Sequence, residues 1–178
     1  MIISMLTGLY LATKFGEDVV RFVGIGTFIY LFTRASLQIP IGILTDKYKH
    51  DKDEILILFV GVLLMGVPFL LYPSITNQYQ YYFLQFIFGL GASMNVVNWR
   101  KLFALNIDEG REGKQYAIYE TIMSMSASFI ALLGGYIANL GEIYFDTVMS
   151  VAGVIIMLGS IWSIFIYRYE GRKSRKKR

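Results

Sequence analysis

Residues 40–52 read PIGILTDKYKHDK, and they mark the point where a long apolar run gives way to mixed charge. Gly42 has no side chain, so another backbone can approach closely at its level. Asp46 stands where a helix leaves the apolar run, and a carboxylate there can accept the N–H groups of a neighbouring helix. Lys47 and Lys49 follow at the level of lipid headgroups. The stretch predicts a turn between two membrane helices, and spacing alone leaves open whether the turn is only a positively charged connection.

The composition favours a membrane protein over a soluble domain. Of the 178 residues 55% are hydrophobic, and the mean hydropathy is +0.50. The chain has no cysteine and one histidine, His50, which excludes disulfides and thiolate sites and leaves no cluster for a metal. The net charge of +4 lies at the ends of apolar runs, so we expect no nucleic-acid partner. We also find no phosphate-binding loop or nucleophile–base pair, and expect neither an enzyme nor a cofactor.

The apolar runs predict an all-α, polytopic membrane protein of about six transmembrane helices. Residues 1–15 form a first helix that is short for a bilayer, which requires about 20 residues. We divide the chain into a six-helix domain, residues 1–170, and a basic tail, residues 171–178, that we expect to be disordered. The five longer spans are predicted at residues 22–44, 55–72, 81–99, 116–140 and 143–167.

The positive charges predict the orientation of these spans. They concentrate in the second-to-third and fourth-to-fifth connections and in the tail. Because positive residues stay on the cytoplasmic side, the C-terminus is expected there. We therefore expect a multi-pass protein of the cell (inner) membrane.

Charged and polar side chains inside the spans mark a candidate pathway for a solute or ion. Arg34 lies about three turns before Asp46 and shares a helix face with Gln38. Glu120 lies about two turns inside the fifth span, at a similar predicted depth. An ion at membrane depth usually faces protein or water, so we hypothesise that Arg34 and Glu120 approach each other. Both side chains are also long enough to reach the cytoplasmic interface without any such role.

The fourth span completes this candidate pathway with amides. Gln85, Asn95 and Asn98 are the polar positions, and the glycines between them are predicted to allow close helix packing. We expect the same packing role for Gly134 and Gly135 in the fifth span and for Gly153 and Gly159 in the sixth.

Three motifs resemble those of the major facilitator superfamily, in the same order along the chain. Gly42, Leu44, Asp46 and Lys47 match its loop signature, G-x-L-x-D-(R/K)-x-G-(R/K), although Lys49 and His50 depart from the last two positions. In the fourth span Gln85-Phe-Ile-Phe-Gly89-Leu-Gly91 resembles R-x-x-x-G-x-G, with glutamine replacing the arginine associated with proton coupling. Gly134-Gly135 resembles the end of the family's antiporter motif, without its Gly-Pro.

The resemblance implies one six-helix half of a transporter that normally has two such halves, with the solute held between them. Gly42, Asp46 and Lys47 would then be the cytoplasmic gating motif. The expected partners are the bilayer, a small-molecule solute, and either a second copy or a separately encoded half. We interpret the chain as a half-transporter acting by alternating access, or as a piece of a longer transporter. The alternative is an accessory or scaffold subunit that moves no solute.

Overall fold

The structure is a computed structural model that describes residues 7–8, 10–12, 19–47 and 51–176. Residues 7–8 and 10–12 belong to helix α1. A turn of 3-10 helix, Tyr72–Ser74, directly follows helix α3 (Asp51–Leu71). Within the described ranges the chain has six helices and no strand, which confirms the predicted all-α class. The later helices are α2 (Val19–Lys47), α3 (Asp51–Leu71), α4 (Gln78–Leu105), α5 (Glu112–Ala138) and α6 (Glu142–Lys176).

Four of the described helices contain a stretch that is long and apolar enough to cross a membrane. These stretches are Val19–Lys47, Glu54–Ser74, Glu112–Ile137 and Tyr144–Ser163. Helix α4 has 28 residues, but its amides and the cations Arg100 and Lys101 lower its hydropathy. Several of its side chains are buried, among them Leu84, Ala92 and Asn98. A helix that packs against protein on much of its surface does not need an apolar exterior, so the polar residues of α4 are compatible with its packed position.

The chain divides into two compact units, which we describe separately. Unit 1 comprises Met1–Gly24 and Leu102–Val148, and unit 2 comprises Ile25–Lys101 and Met149–Arg178. Unit 2 therefore contains most of α2 and α4, all of α3 and most of α6. Unit 1 contains α1, α5, the beginnings of α2 and α6, and the last residues of α4.

In unit 2, α3 packs between α4 and α6 at pairs of glycines. A Cβ added to Gly91 would lie 2.7 Å from the Gly61 carbonyl oxygen, so the backbones of α3 and α4 touch there. A Cβ added to Gly66 would likewise lie 2.9 Å from the Gly153 carbonyl oxygen of α6. Small residues permit this close backbone approach in membrane helices. The predicted packing role is confirmed for Gly91 and Gly153.

Helix α2 lies along α4 and runs in the same direction. The rings of Tyr30 and Phe88 have centroids 5.1 Å apart, and a Cβ on Gly89 would lie 2.8 Å from the Tyr30 carbonyl oxygen. Further along both helices, a Cβ on Gly42 would lie 3.8 Å from Val97 Cγ1. These contacts place α2 residues beside α4 residues about 55–59 positions later, and they set the relative levels of the polar side chains on these two helices.

Unit 1 is held by aromatic contacts between helix ends. Tyr10 of α1 is buried, donates a hydrogen bond to the Asp146 carboxylate of α6, and packs edge-on against Phe145 at 5.0 Å. At the other end of α5, Phe103 contacts Tyr116 and Tyr119 with centroid distances of 4.9 and 5.2 Å.

Two sequence-based expectations are wrong. Helix α6 continues to Lys176, so the tail is helical up to that residue and not disordered. Lysine and arginine are good helix formers, and extending an existing helix gains one hydrogen bond for each residue fixed. In addition, a Cβ on Gly135 or Gly159 would meet no atom of the described chain within 4 Å, so neither glycine serves close packing there.

Candidate functional site

The ends of α2, α3 and α4 meet at a cluster of three charged residues, Asp46, Glu54 and Lys101. The Lys101 ammonium lies 2.8 Å from Asp46 Oδ1 and 2.7 Å from Glu54 Oε1. It also donates to the Thr45 carbonyl oxygen at 3.3 Å. The Lys101 ammonium therefore links the ends of α2, α3 and α4 through hydrogen bonds to three oxygen atoms. We call Asp46, Glu54 and Lys101 the end cluster.

The two carboxylates of the end cluster differ in their exposure to solvent. The Glu54 side chain is 4% exposed, and the Asp46 side chain is 73% exposed. Glu54 Oε2 is buried and has no hydrogen-bond partner in the described part of the chain. The negative charge of Glu54 is thus balanced by Lys101, whereas Asp46 is also stabilised by water. Hydrogen bonds to Asp46 and then to Glu54 raise the pKa of Lys101 above its ordinary value, so its ammonium is charged at neutral pH.

The predicted gating motif occupies this region, but its members play different parts. Asp46 binds Lys101, while Lys47 is exposed at the last residue of α2. Gly42 accepts a hydrogen bond from the Thr45 hydroxyl at 3.0 Å. A Cβ added to Gly42 would lie 3.8 Å from Val97 Cγ1, which is an ordinary van der Waals distance. The expected close backbone approach at Gly42 is therefore not made within the described chain. Lys49 and His50 lie outside the described residues.

Arg34 and Gln38 lie half-buried on α2. Arg34 Nη1 donates to the Tyr30 hydroxyl at 3.2 Å. Arg34 Nε is buried without a hydrogen-bond partner among the described residues. By the α2–α4 register, Arg34 lies level with the Gly89 region of α4, well inside that helix.

The amides of α4 have different environments. Gln85 is buried and donates to the hydroxyls of Tyr81 at 2.9 Å and Tyr72 at 3.2 Å, which places it in a tyrosine cluster inside unit 2. Asn98 is buried and donates to the Met94 carbonyl at 2.8 Å, whereas its Oδ1 has no hydrogen-bond partner in the described residues. Asn95 is half-buried.

Glu120 is an exposed residue of α5 in unit 1, whereas Arg34 belongs to unit 2. The proposed approach of the two therefore stays a prediction. Of the hydroxyls that follow Glu120 along α5, Ser128 donates to the Ser124 carbonyl at 2.8 Å, which satisfies it within its own helix.

The sequence reasoning missed Glu54 and assigned Lys101 only to membrane topology. The sequence nevertheless indicated that Glu54 could lie near Asp46, because the connection between α2 and α3 is short and places residue 54 near the end of α2. The pairing of Lys101 with both carboxylates depends on the α2–α4 register, which no local pattern reveals. Among the described residues, no group of three or more His, Cys, Asp or Glu side chains is arranged to hold a metal ion.

Comparison with known families supports the resemblance found in the motifs. The model of the Major Facilitator Superfamily matches residues 1–178. Searches of curated proteins and of solved structures gave no match. The family match spans the whole described chain, including the end cluster and the polar face of α2, and four of the described helices can cross a membrane. This integral membrane protein belongs to the Major Facilitator Superfamily, a family of membrane transporters.

Proposed function

We propose that the chain is one half of a transporter that moves a small solute by alternating access. It pairs with a second copy or a separately encoded half, or it is a piece of a longer transporter chain. In this proposal Gly42, Asp46 and Lys47 belong to the cytoplasmic gate, and Arg34, Gln38 and Glu120 belong to the polar centre. The cation-rich connections lie in the cytoplasm with the C-terminus, in the cell membrane.

The observation that carries this proposal is the position of Arg34. A membrane-depth ion without an internal counter-charge faces a water-filled pathway or a partner. A scaffold subunit with a sealed core would neutralise Arg34 within its own helices. In unit 2, however, the two carboxylates whose side chains are described, Asp46 and Glu54, both bind Lys101.

The end cluster also supports alternating access. A gate must hold helix ends together in one state and release them in another. Lys101 holds α2 through an exposed carboxylate, and exposed ion pairs contribute only about 0–1 kcal/mol. The Asp46–Lys101 contact is therefore weak enough to break during a transport cycle, while the buried contact with Glu54 keeps Lys101 in place.

The test is solute uptake into liposomes that contain the purified chain, with Asp46→Asn as the gate variant. The matched control is Asp108→Asn, in an exposed connection between α4 and α5. We expect uptake by the unaltered chain and by the control, and an altered uptake rate for Asp46→Asn. A chain that forms stable dimers in liposomes but moves none of a broad panel of solutes would contradict the proposal and favour a scaffold subunit.

A further inference from the structure

Arg34 lies at a level of unit 2 where none of the described carboxylates of that unit is placed. It precedes Asp46 by 12 residues, which is about 18 Å along an α-helix. The neighbouring residue Thr33 packs beside Gly89, in the middle of α4, where a Cβ added to Gly89 would lie 2.9 Å from Thr33 Cβ. Asp46 and Glu54 each bind the Lys101 ammonium through one oxygen, at the helix ends. No described carboxylate of this unit therefore reaches Arg34.

The guanidinium of Arg34 also has unused hydrogen-bonding capacity. A guanidinium carries five N–H donors in a planar fork. Nη1 donates to the Tyr30 hydroxyl at 3.2 Å, and Nε is buried without a partner in the described residues. The ring of Tyr30 is itself held against Phe88 of α4. The Tyr30 hydroxyl thus accepts one hydrogen bond from the guanidinium, and no described residue accepts one from Nε.

The chemistry of this arrangement selects an anion. A guanidinium fork matches two oxygens of a carboxylate or a phosphate, and these charge-assisted pairs are stronger than neutral hydrogen bonds. We propose that Arg34 binds the anionic group of the solute, a carboxylate or a phosphate, an inference that rests on the proposed transport function. The anion supplies a counter-charge that the described carboxylates of unit 2 do not supply to Arg34.

The absence of cysteine from the chain gives a direct test of this charge. A cysteine introduced as Gln38→Cys lies one turn from Arg34 on the same face of α2. Its modification rates by an anionic and a cationic methanethiosulfonate reagent are measured on the full chain in nanodiscs. An unpaired guanidinium one turn away favours the anionic reagent, so we expect Arg34→Gln to lower the anionic-to-cationic rate ratio about tenfold.

The control for this measurement is Arg21→Gln, which removes an exposed cation from the same helix. It leaves the rate ratio unchanged, and Arg34→Lys keeps most of the selectivity because it keeps the charge. If Arg34→Gln changes the ratio no more than Arg21→Gln does, the inference is wrong. Failure of both reagents to reach the cysteine also overturns it, since Arg34 would then not face water.

A binding measurement identifies the anion. Inorganic phosphate, succinate, choline and glycerol are each tested for stabilisation of the chain in nanodiscs, because a ligand that binds the folded state raises its unfolding temperature. We expect phosphate or succinate to stabilise the unaltered chain and not Arg34→Gln. Stabilisation by phosphate alone indicates a phosphate group, and by succinate alone a carboxylate.

Equal stabilisation by choline or glycerol, or no stabilisation by either anion, contradicts the inference. The outcome is separable from that of the transport proposal. An anion that binds through Arg34 in a chain that moves no solute would refute transport and keep the anion site. Transport of cationic or neutral solutes that is unaffected by Arg34→Gln would refute the anion site and keep transport.

Discussion

Replacing Lys101 with methionine removes the only described partner of a buried carboxylate. The Glu54 side chain is 4% exposed, and its second oxygen has no hydrogen-bond partner in the described chain. Removing one member of a buried ion pair costs about 3–5 kcal/mol, because the other charge stays buried without compensation. The Asp46 side chain is 73% exposed, so Asp46→Asn is expected to cost no more than about 1 kcal/mol. We therefore predict a large difference between two variants that break contacts of the same ammonium.

The assay is reversible unfolding in mixed micelles, followed by far-ultraviolet circular dichroism. The matched control is Lys114→Met, which removes an exposed cation near the start of α5. A double variant, Lys101→Met with Glu54→Leu, removes both charges and should recover most of the lost stability, since apolar replacement of a whole buried pair is often neutral.

Two results would refute this reasoning. In the first, Lys101→Met loses no more stability than Lys114→Met, which would mean that Glu54 is not buried as a charge dependent on Lys101. In the second, Asp46→Asn costs as much as Lys101→Met, which would mean that exposure does not separate the two carboxylates.

Three other predictions concern packing, buried amides and pH. Gly61→Ala should destabilise the chain by about 1–3 kcal/mol, because its Cβ would lie 2.9 Å from a backbone nitrogen of α4. In the same unfolding assay Gly159→Ala should be neutral or slightly stabilising, because its Cβ would meet no described atom within 4 Å. Gln85→Leu should lower the free energy of unfolding by about 1–3 kcal/mol, because it removes the amide that donates to two tyrosine hydroxyls. The comparison variant is Gln85→Glu, which keeps the size of the side chain. Because hydrogen bonds to Asp46 and Glu54 raise the folded-state pKa of Lys101 above its ordinary 10.5, its contribution to stability should persist as the pH rises from neutral and be lost only as the pH passes through the folded-state pKa. A titration of unfolding upward from neutral pH in which the Lys101-dependent stability is lost well below pH 10.5 would contradict this.

The helical architecture could be predicted from the sequence because apolar runs and charged connections are local patterns. The loop motif identified Asp46 as a residue of the helix ends in the same way. The partners of Asp46 could not be predicted, because the contact with Lys101 joins residues 55 positions apart and depends on how α2 lies along α4. The motif in α4 likewise predicted Gln85 to line a candidate pathway. In the structure its amide donates hydrogen bonds to the hydroxyls of two tyrosines inside unit 2.

Glycines show the same limit of local patterns. Gly153 and Gly159 look alike in the sequence of α6, six residues apart. The first touches the backbone of α3, and the second faces no described atom within 4 Å. The difference follows from which face of α6 meets α3, and one face of a nearly uniform apolar helix cannot be distinguished from another without knowledge of its neighbour.

The claim that this chain is one half of a two-part transporter is tested most directly by its oligomeric state in lipid nanodiscs. A lone half leaves ions such as Arg34 facing lipid, at a cost of roughly 2.5–3.5 kcal/mol for a central ion. Native mass spectrometry of the purified chain, released from nanodiscs, counts the copies that associate. We predict a stable dimer in which a second copy supplies the missing half. A chain that remains monomeric at every protein-to-lipid ratio would contradict the account of this chain as a half that pairs with itself.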